Sequence, residues 1–243
     1  MLYTIGDLHG QSRLLDNFTI EPKSTIICLG DFGANFYLNH YDSTFKQNLK
    51  KYDCTFFVVR GNHEIRPSRM MNDFPDRWEK IEYCGNGAYR EKEYPYIVYA
   101  LDEAAIYEFE GLKTLVMGGA YSIDKDIRLL RDWPWFPDEQ MSEEEMAAAT
   151  NLLEENNWNV DLVLTHTAPS AFEPVDSFMS VRKDVDRSME IFFDRIERQL
   201  NYKLWCFGHY HIFKIMRSVE GKILIMHSAG GEKIDIKKFL EQW

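Results

Sequence analysis

Asp7 and His9 follow the first apolar run of the chain, in "MLYTIGDLHG", and the same arrangement recurs four more times. Asp31 closes "CLGDF", Asn62 and His63 close "VVRGNHE", His166 closes "LVLTH", and His209 with His211 closes "CFGHYH". Carboxylate, amide and imidazole together form mixed shells around borderline divalent ions such as Mn²⁺, Fe²⁺ and Zn²⁺. Asp31 is the natural bridge, because one carboxylate can hold two cations close together. Two divalent ions outweigh Asp7, Asp31 and a bridging hydroxide, so such a centre stays positive and attracts phosphate. The chemistry these groups permit is two-metal hydrolysis. Ions about 3.5–4 Å apart acidify a shared water, orient it for in-line attack and neutralise the phosphoryl oxygens. An isolated imidazole such as His40 or His227 carries no such pattern and reads as structural or surface.

For groups spread over two hundred residues to meet, the elements before them must end at one edge. "LYTIG", "STIICLG" and "CTFFVVRG" read as buried strands, and "QSRLLDNF" and "STFKQNLKKYD" between them have helical spacing. That βαβαβ order implies parallel strands, and open α/β sheets bind ligands at the C-terminal ends of such strands. From about Tyr94, "YPYIVYAL", "AAIYEFEG" and "KTLVMGG" are closely spaced and suggest antiparallel strands of a second sheet or a sheet edge. "SEEEMAAATNLLEENN" opens with Ser142 and Glu145 at capping-box spacing. "VDLVLTH" reads as a further strand and "DRSMEIFFDRIERQL" as an amphipathic helix with Met189, Phe192, Phe193, Ile196 and Leu200 on one side. "KLWCFGHYH", "IFKIMRSV" and "KILIMHSAG" complete the strands. No repeat or linker is visible, so residues 1–243 read as a single domain. Residues 121–141 fit no period and read as an ordered loop, a possible cap.

With 243 residues and 45% hydrophobic content the chain can bury one large core. A net charge of -11 argues against extended nucleic acid as a partner, since phosphate backbones need clustered Lys and Arg. Four cysteines without C-x-x-C spacing read as buried free thiols. With no basic leader and no apolar stretch of membrane-spanning length, the expected setting is cytoplasmic.

Taken in order, "GDLHG", "GD", "GNHE", the His of "LTH" and "GHYH" resemble the motifs of the calcineurin-like metallophosphoesterases, over almost the whole chain. The resemblance implies a four-layer α/β/β/α sandwich with two mixed β-sheets and a pair of divalent ions, with Mn²⁺ expected and Fe or Zn as alternatives. It implies that Asp7, His9, Asp31 and His211 hold one ion, and that Asp31, Asn62, His166 and His209 hold the other. His63 resembles the family's catalytic histidine, which hydrogen-bonds phosphate or protonates the leaving oxygen. "GDLHG" with "RGNHE" also resembles the serine/threonine phosphoprotein phosphatases. That branch, however, has Asp-Arg-Gly after the bridging aspartate, where this chain reads "GDFGANF". The Asp that pairs with the catalytic His and the Arg that grips phosphate are missing there.

The expected activity is therefore hydrolysis of a small-molecule or exposed phosphate ester, a monoester first. A phosphodiesterase or nuclease is the alternative, and a binding module that has lost catalysis should show broken ligands, which this chain does not. Arg60, Arg128 and Arg131 are candidate phosphate contacts. Arg128 and Arg131 would share a face if the stretch is helical, with Trp133, Trp135 and Phe136 offering flat apolar area beside them.

Overall fold

A computed structural model describes residues 1–177 and 185–242. The first three apolar runs form β1 (Leu2–Ile5), β2 (Thr25–Leu29) and β3 (Thr55–Val59), which pair in parallel as their spacing predicts. A hairpin of β4 (Trp78–Tyr83) and β5 (Asn86–Glu91) follows, then β6 (Ile97–Tyr99). β7 (Ala105–Phe109) and β8 (Leu112–Met117) are antiparallel; β9 (Leu162–Thr165), β10 (Leu204–Phe207), β11 (Lys214–Arg217), β12 (Ile223–Met226) and β13 (Lys233–Asp235) complete the strands. Among the described residues they form two mixed sheets, ordered β13-β1-β2-β3-β6-β5-β4 and β11-β12-β10-β9-β8-β7.

The fold is the four-layer α/β/β/α sandwich. Helices α1 (His40–Leu49), α2 (Pro67–Asp73), α3 (Lys125–Leu130), α4 (Glu143–Glu155), α5 (Ser188–Gln199) and α6 (Ile236–Gln242) lie between and after the strands. Side chains alternate across a strand, so a strand buried on both faces must be apolar at every position. The second sheet shows this directly. Leu162, Leu164, Leu204, Cys206, Ile223 and Ile225 share one core with the first sheet. Val163, Trp205, Phe207, Leu224 and Met226 face the other way, against Ala149 and Leu153 of α4 and Met189, Phe193 and Ile196 of α5. Phe45 and Leu49 of α1 and Ile236 and Phe239 of α6 extend the core of the first sheet.

Helix α4 begins at the expected capping box, with Ser142 accepting from the Glu145 N–H and the Glu145 carboxylate accepting from the Ser142 N–H. Residues expected as a helix at 11–18 form a 3-10 turn, Ser12–Asn17. β6 joins the first sheet, parallel to β3, while β7 and β8 alone carry the antiparallel expectation into the second. Among the described residues no helix is long and apolar enough to cross a membrane.

Candidate metal centre

The C-terminal ends of β1, β2, β3, β9 and β10 deliver the eight side chains to one place. Ligand atoms of Asp7, His9 and His211 lie within 4.8 Å of one another, as do those of Asp7, Asp31 and His166, and those of His9, Asp31 and His63. Nε2 of His211 is 2.9 Å from Asp7 Oδ2, and Nε2 of His166 is 3.4 Å from Asp31 Oδ1. The His166 and His209 rings stand edge to face with centroids 5.0 Å apart. Asn62 Oδ1 is 2.9 Å from His166 Nε2.

Backbone geometry at these positions is unusual for residues with a Cβ. His9, Asp31, His209 and His211 have φ of 45°, 46°, 69° and 57°, in the left-handed region. Such conformations cost free energy and persist where surrounding structure enforces them, commonly at functional sites. The glycines before two motifs supply room. A Cβ on Gly61 would lie 2.1 Å from Asp31 Oδ1, and one on Gly208 would lie 2.3 Å from Asp7 Oδ1.

Other groups hold the cluster in register. Asp31 Oδ1 accepts from the His63 N–H at 2.8 Å, and Asp7 accepts from the His209 N–H. The His166 Nδ1–H donates to the Leu29 carbonyl at 2.6 Å, which fixes the ring so that Nε2 is the nitrogen turned to Asp31 and Asn62, where a cation would take the place of its proton. Buried Glu64 was not singled out from the sequence. Its Oε1 accepts from the N–H groups of Phe32 and Gly33 and its Oε2 from that of Gly61, so it ties the loop after β2 to the loop after β3. Ser122 was also missed. It accepts from Asn62 Nδ2 at 3.0 Å and donates to Glu139, turning Asn62 Oδ1 toward His166. A carboxylate directly after Asn62 and His63 is the one sequence signal that could have found Glu64; nothing in the sequence marked Ser122.

Electrostatics match a site built for cations. Burial would raise the Asp31 carboxyl, but His166 and His63 beside it hold it well below the usual carboxylate range. Burial opposes charge on His166 too, yet Asp31 and Asp7 lift it to about 9. The hydrogen bond to Asp7 raises His211. Burial, then the neighbouring His166, push His209 well down. Two imidazole nitrogens, His9 Nε2 and His211 Nε2, face each other at 3.0 Å beside Asp7. Carboxylates and imidazole nitrogens at these separations fit divalent cations, which would displace the protons that the carboxylates hold on His166 and His211.

His63 differs from the rest. Its Nε2 receives the guanidinium of Arg128, and burial lowers its pKa to about 4 despite Asp31. Arg128 is wholly buried, is held by Asp124 Oδ1 at 2.9 Å, lies over the Phe36 ring and donates to the Asn62 carbonyl at 3.4 Å.

The other two arginines are not brought to the centre. Arg60 turns inward and donates to the carbonyls of Glu139 and Gly118, 3.9 Å from Asp102, so its fork is committed to holding loops together. Arg131 is the C-cap of α3, exposed, with its guanidinium over Trp133. Arg128 and Arg131 therefore do not share a working face, because α3 ends between them. Trp135 packs under Lys125, and Phe136 is buried near Phe36; Trp133 alone of the three lines a cleft beside His63. His227 is buried against Thr4, as a structural histidine would be. Among the described residues two clefts open on the cluster, of about 560 Å³ and 830 Å³, and they share His9, His63 and Asp124.

A family profile described as calcineurin-like phosphoesterase matches residues 2–213. The chain belongs to that family: it is a hydrolase acting on phosphate esters, of a class that uses a dinuclear divalent metal centre. Comparison by sequence with curated proteins gives no match. Among solved structures, the chain is similar to phosphopantetheinyl hydrolase from Mycobacterium tuberculosis, with 14% identity, TM-score 0.54, and coverage of 94% of this chain and 89% of that one. It is also similar to TT1561 of Thermus thermophilus, with 12% identity, TM-score 0.49, and coverage of 98% and 94%. At such identities the likeness concerns the fold.

Proposed function

We propose that the protein hydrolyses small phosphate monoesters at this cluster. Asp7, His9, Asp31 and His211 hold one divalent ion, Mn²⁺ first, and Asp31, Asn62, His166 and His209 hold the other. When bound, the two cations supply an acidified water and positive charge against the phosphoryl oxygens. The observation that carries the reading is the meeting of Arg128 and His63 at the rim of the carboxylate–imidazole cluster. Arg128 takes the place of the phosphate-gripping arginine absent after Asp31. It approaches from residues 121–141 instead. With phosphate present, Arg128 turns N–H groups to the phosphoryl oxygens and releases His63 Nε2, which takes up a proton from solvent and then hydrogen-bonds or protonates the leaving oxygen. Asp124 keeps the guanidinium aimed during that exchange. The acidic surface and the absence of any basic stripe in the sequence favour a small substrate, and four cysteines with no disulfide among the described residues suit a cytoplasmic setting.

A second reading has its own observation. Two clefts flank one cluster, and that leaves room for a second organic arm, as in a phosphodiester. Hydrolysis of 4-nitrophenyl phosphate and bis(4-nitrophenyl) phosphate by Mn²⁺-loaded protein tests both. Monoester turnover at least about tenfold faster supports the first reading. Faster diester turnover replaces it with the second, and hydrolysis of neither ester removes the proposal.

A further inference from the structure

The 560 Å³ cleft contains chemistry that hydrolysis itself does not use. Its cluster end is formed by His63, His209 and His211, and its wall carries the apolar side chains of Ile123, Val175 and Val185. In that wall sits Glu190, in the first turn of α5, only 5% exposed. Glu190 Oε1 accepts from Thr167 Oγ1 at 2.8 Å, and Thr167 Oγ1 lies 3.0 Å from the Tyr210 hydroxyl. Threonine has one hydroxyl proton and spends it on Glu190, so Tyr210 donates into Thr167. The chain Tyr210 to Thr167 to Glu190 therefore fixes the carboxylate plane. It leaves Glu190 Oε2 buried without a hydrogen-bond partner among the described residues. Glu173 lines the same cleft. It gives one oxygen to Arg187, and its Oε1 is likewise buried and unpartnered among the described residues.

A buried carboxylate oxygen without a donor is costly, and the cost is recovered when a ligand supplies O–H or N–H. We propose that Glu190, with Glu173 beside it, is the acceptor that recognises a hydrogen-bond donor on the alcohol part of the phosphate ester. The inference rests on the phosphoesterase reading and names its substrate class: esters of hydroxyl- or amine-bearing alcohols rather than of plain alkyl or aryl alcohols. An ester whose phosphate occupies the cluster has its alcohol part at hand for this cleft, beside Ile123, Val175 and Val185.

Pairs of esters that differ only in the donor test it, with Mn²⁺-loaded full-length protein at about pH 8, where Glu190 is ionised. Glycerol 3-phosphate against propyl phosphate reads a hydroxyl, and ethanolamine phosphate against ethyl phosphate reads an ammonium. In the wild type, at least one donor-bearing ester should exceed its plain partner in kcat/KM by about tenfold or more. Glu190→Gln keeps the shape and the Thr167 bond but turns an amide N–H₂ toward the cleft, so that preference should shrink toward unity. The pair that responds identifies the donor. No preference in the wild type for either pair overturns the acceptor, as does a preference that survives Glu190→Gln within about twofold. If the wild type cleaves none of the four esters or 4-nitrophenyl phosphate, the phosphoesterase reading itself falls; if it cleaves only 4-nitrophenyl phosphate, the acceptor alone falls.

Discussion

Arg128 holds its guanidinium against Nε2 of His63, although 65 residues separate them in sequence. A short helix in an otherwise aperiodic stretch thus completes a site whose other parts come from strand ends. Removal of this fork should be felt at the phosphate. Charge-assisted hydrogen bonds contribute about 1.5–3 kcal/mol, so Arg128→Ala should lower kcat/KM by about 10–100-fold. Arg128→Lys should recover part of the loss, since it restores charge but not the planar fork. Metal content, measured on the same preparations, should stay at the wild-type level. A variant with full activity would return Arg128 to a packing role.

Asp31 lies within reach of His166, His63 and His9 at once, with contacts of 3.4 Å, 3.7 Å and 4.0 Å. An amide there loses charge and cannot bridge. Asp31→Asn should therefore weaken both bound ions together and reduce turnover by orders of magnitude, while circular dichroism stays native. Elemental analysis showing two metals per chain with near-normal turnover would place the bridge elsewhere.

His63 can be tested as acid against ligand. It belongs by distance to a group with His9 and Asp31, yet its Nε2 is occupied by Arg128. If it acts on the substrate, His63→Ala retains metal and loses about 10²–10⁴-fold in rate. The loss should be smaller for a nitrophenolate leaving group, which needs little protonation. Metal loss in His63→Ala, with Asn62 unchanged, assigns His63 to the ligands instead.

Glu64 accepts three backbone N–H groups from the two loops that carry Asp31 and Asn62. Glu64→Ala orphans all three, and each buried unsatisfied donor costs about 1–3 kcal/mol. A lower urea midpoint is expected. Metal affinity should fall as well, by about 10–100-fold, as for other supports of ligand geometry. Wild-type affinity in a destabilised variant would show that the two loops keep their register without it.

The cluster was legible because strands buried on both faces read as unbroken apolar runs, and each of its residues follows such a run. What lay between was harder. The hairpin of β4 and β5 turns through Cys84 and Gly85, with φ of 49° and 80°. A Cys-Gly pair carries a weaker turn signal than Asn-Gly, and half of "WEKIEY" is charged, as suits the edge strand β4. Arg60 misled for a geometric reason. It immediately follows β3, but its side chain points to the Glu139 and Gly118 carbonyls rather than the cleft. Arg128 and Ser122 reach the site through contacts more than fifty residues apart in sequence, which no local pattern encodes.

Stability should also carry the signature of Glu190. Burial lifts its carboxyl from 4.5 to about 7; the Thr167 hydrogen bond pulls the other way, Glu173 adds to the rise, and Arg187 opposes it. Between those two values the folded chain keeps a proton that the unfolded chain has released. The contribution is therefore fully present below about pH 4.5 and is lost as pH rises through about 7. A rise of that size corresponds to about 3 kcal/mol at most. Glu173, also raised by burial, adds a slope of the same sign that Glu190→Gln leaves in place. Urea unfolding of wild type and Glu190→Gln from about pH 4 to about pH 8 isolates the difference. The variant should gain on the wild type as pH rises, with most of the change between about pH 5 and 7. A difference that does not vary with pH would mean that Glu190 titrates in the folded protein as it does in the unfolded chain, with a donor already beside its second oxygen.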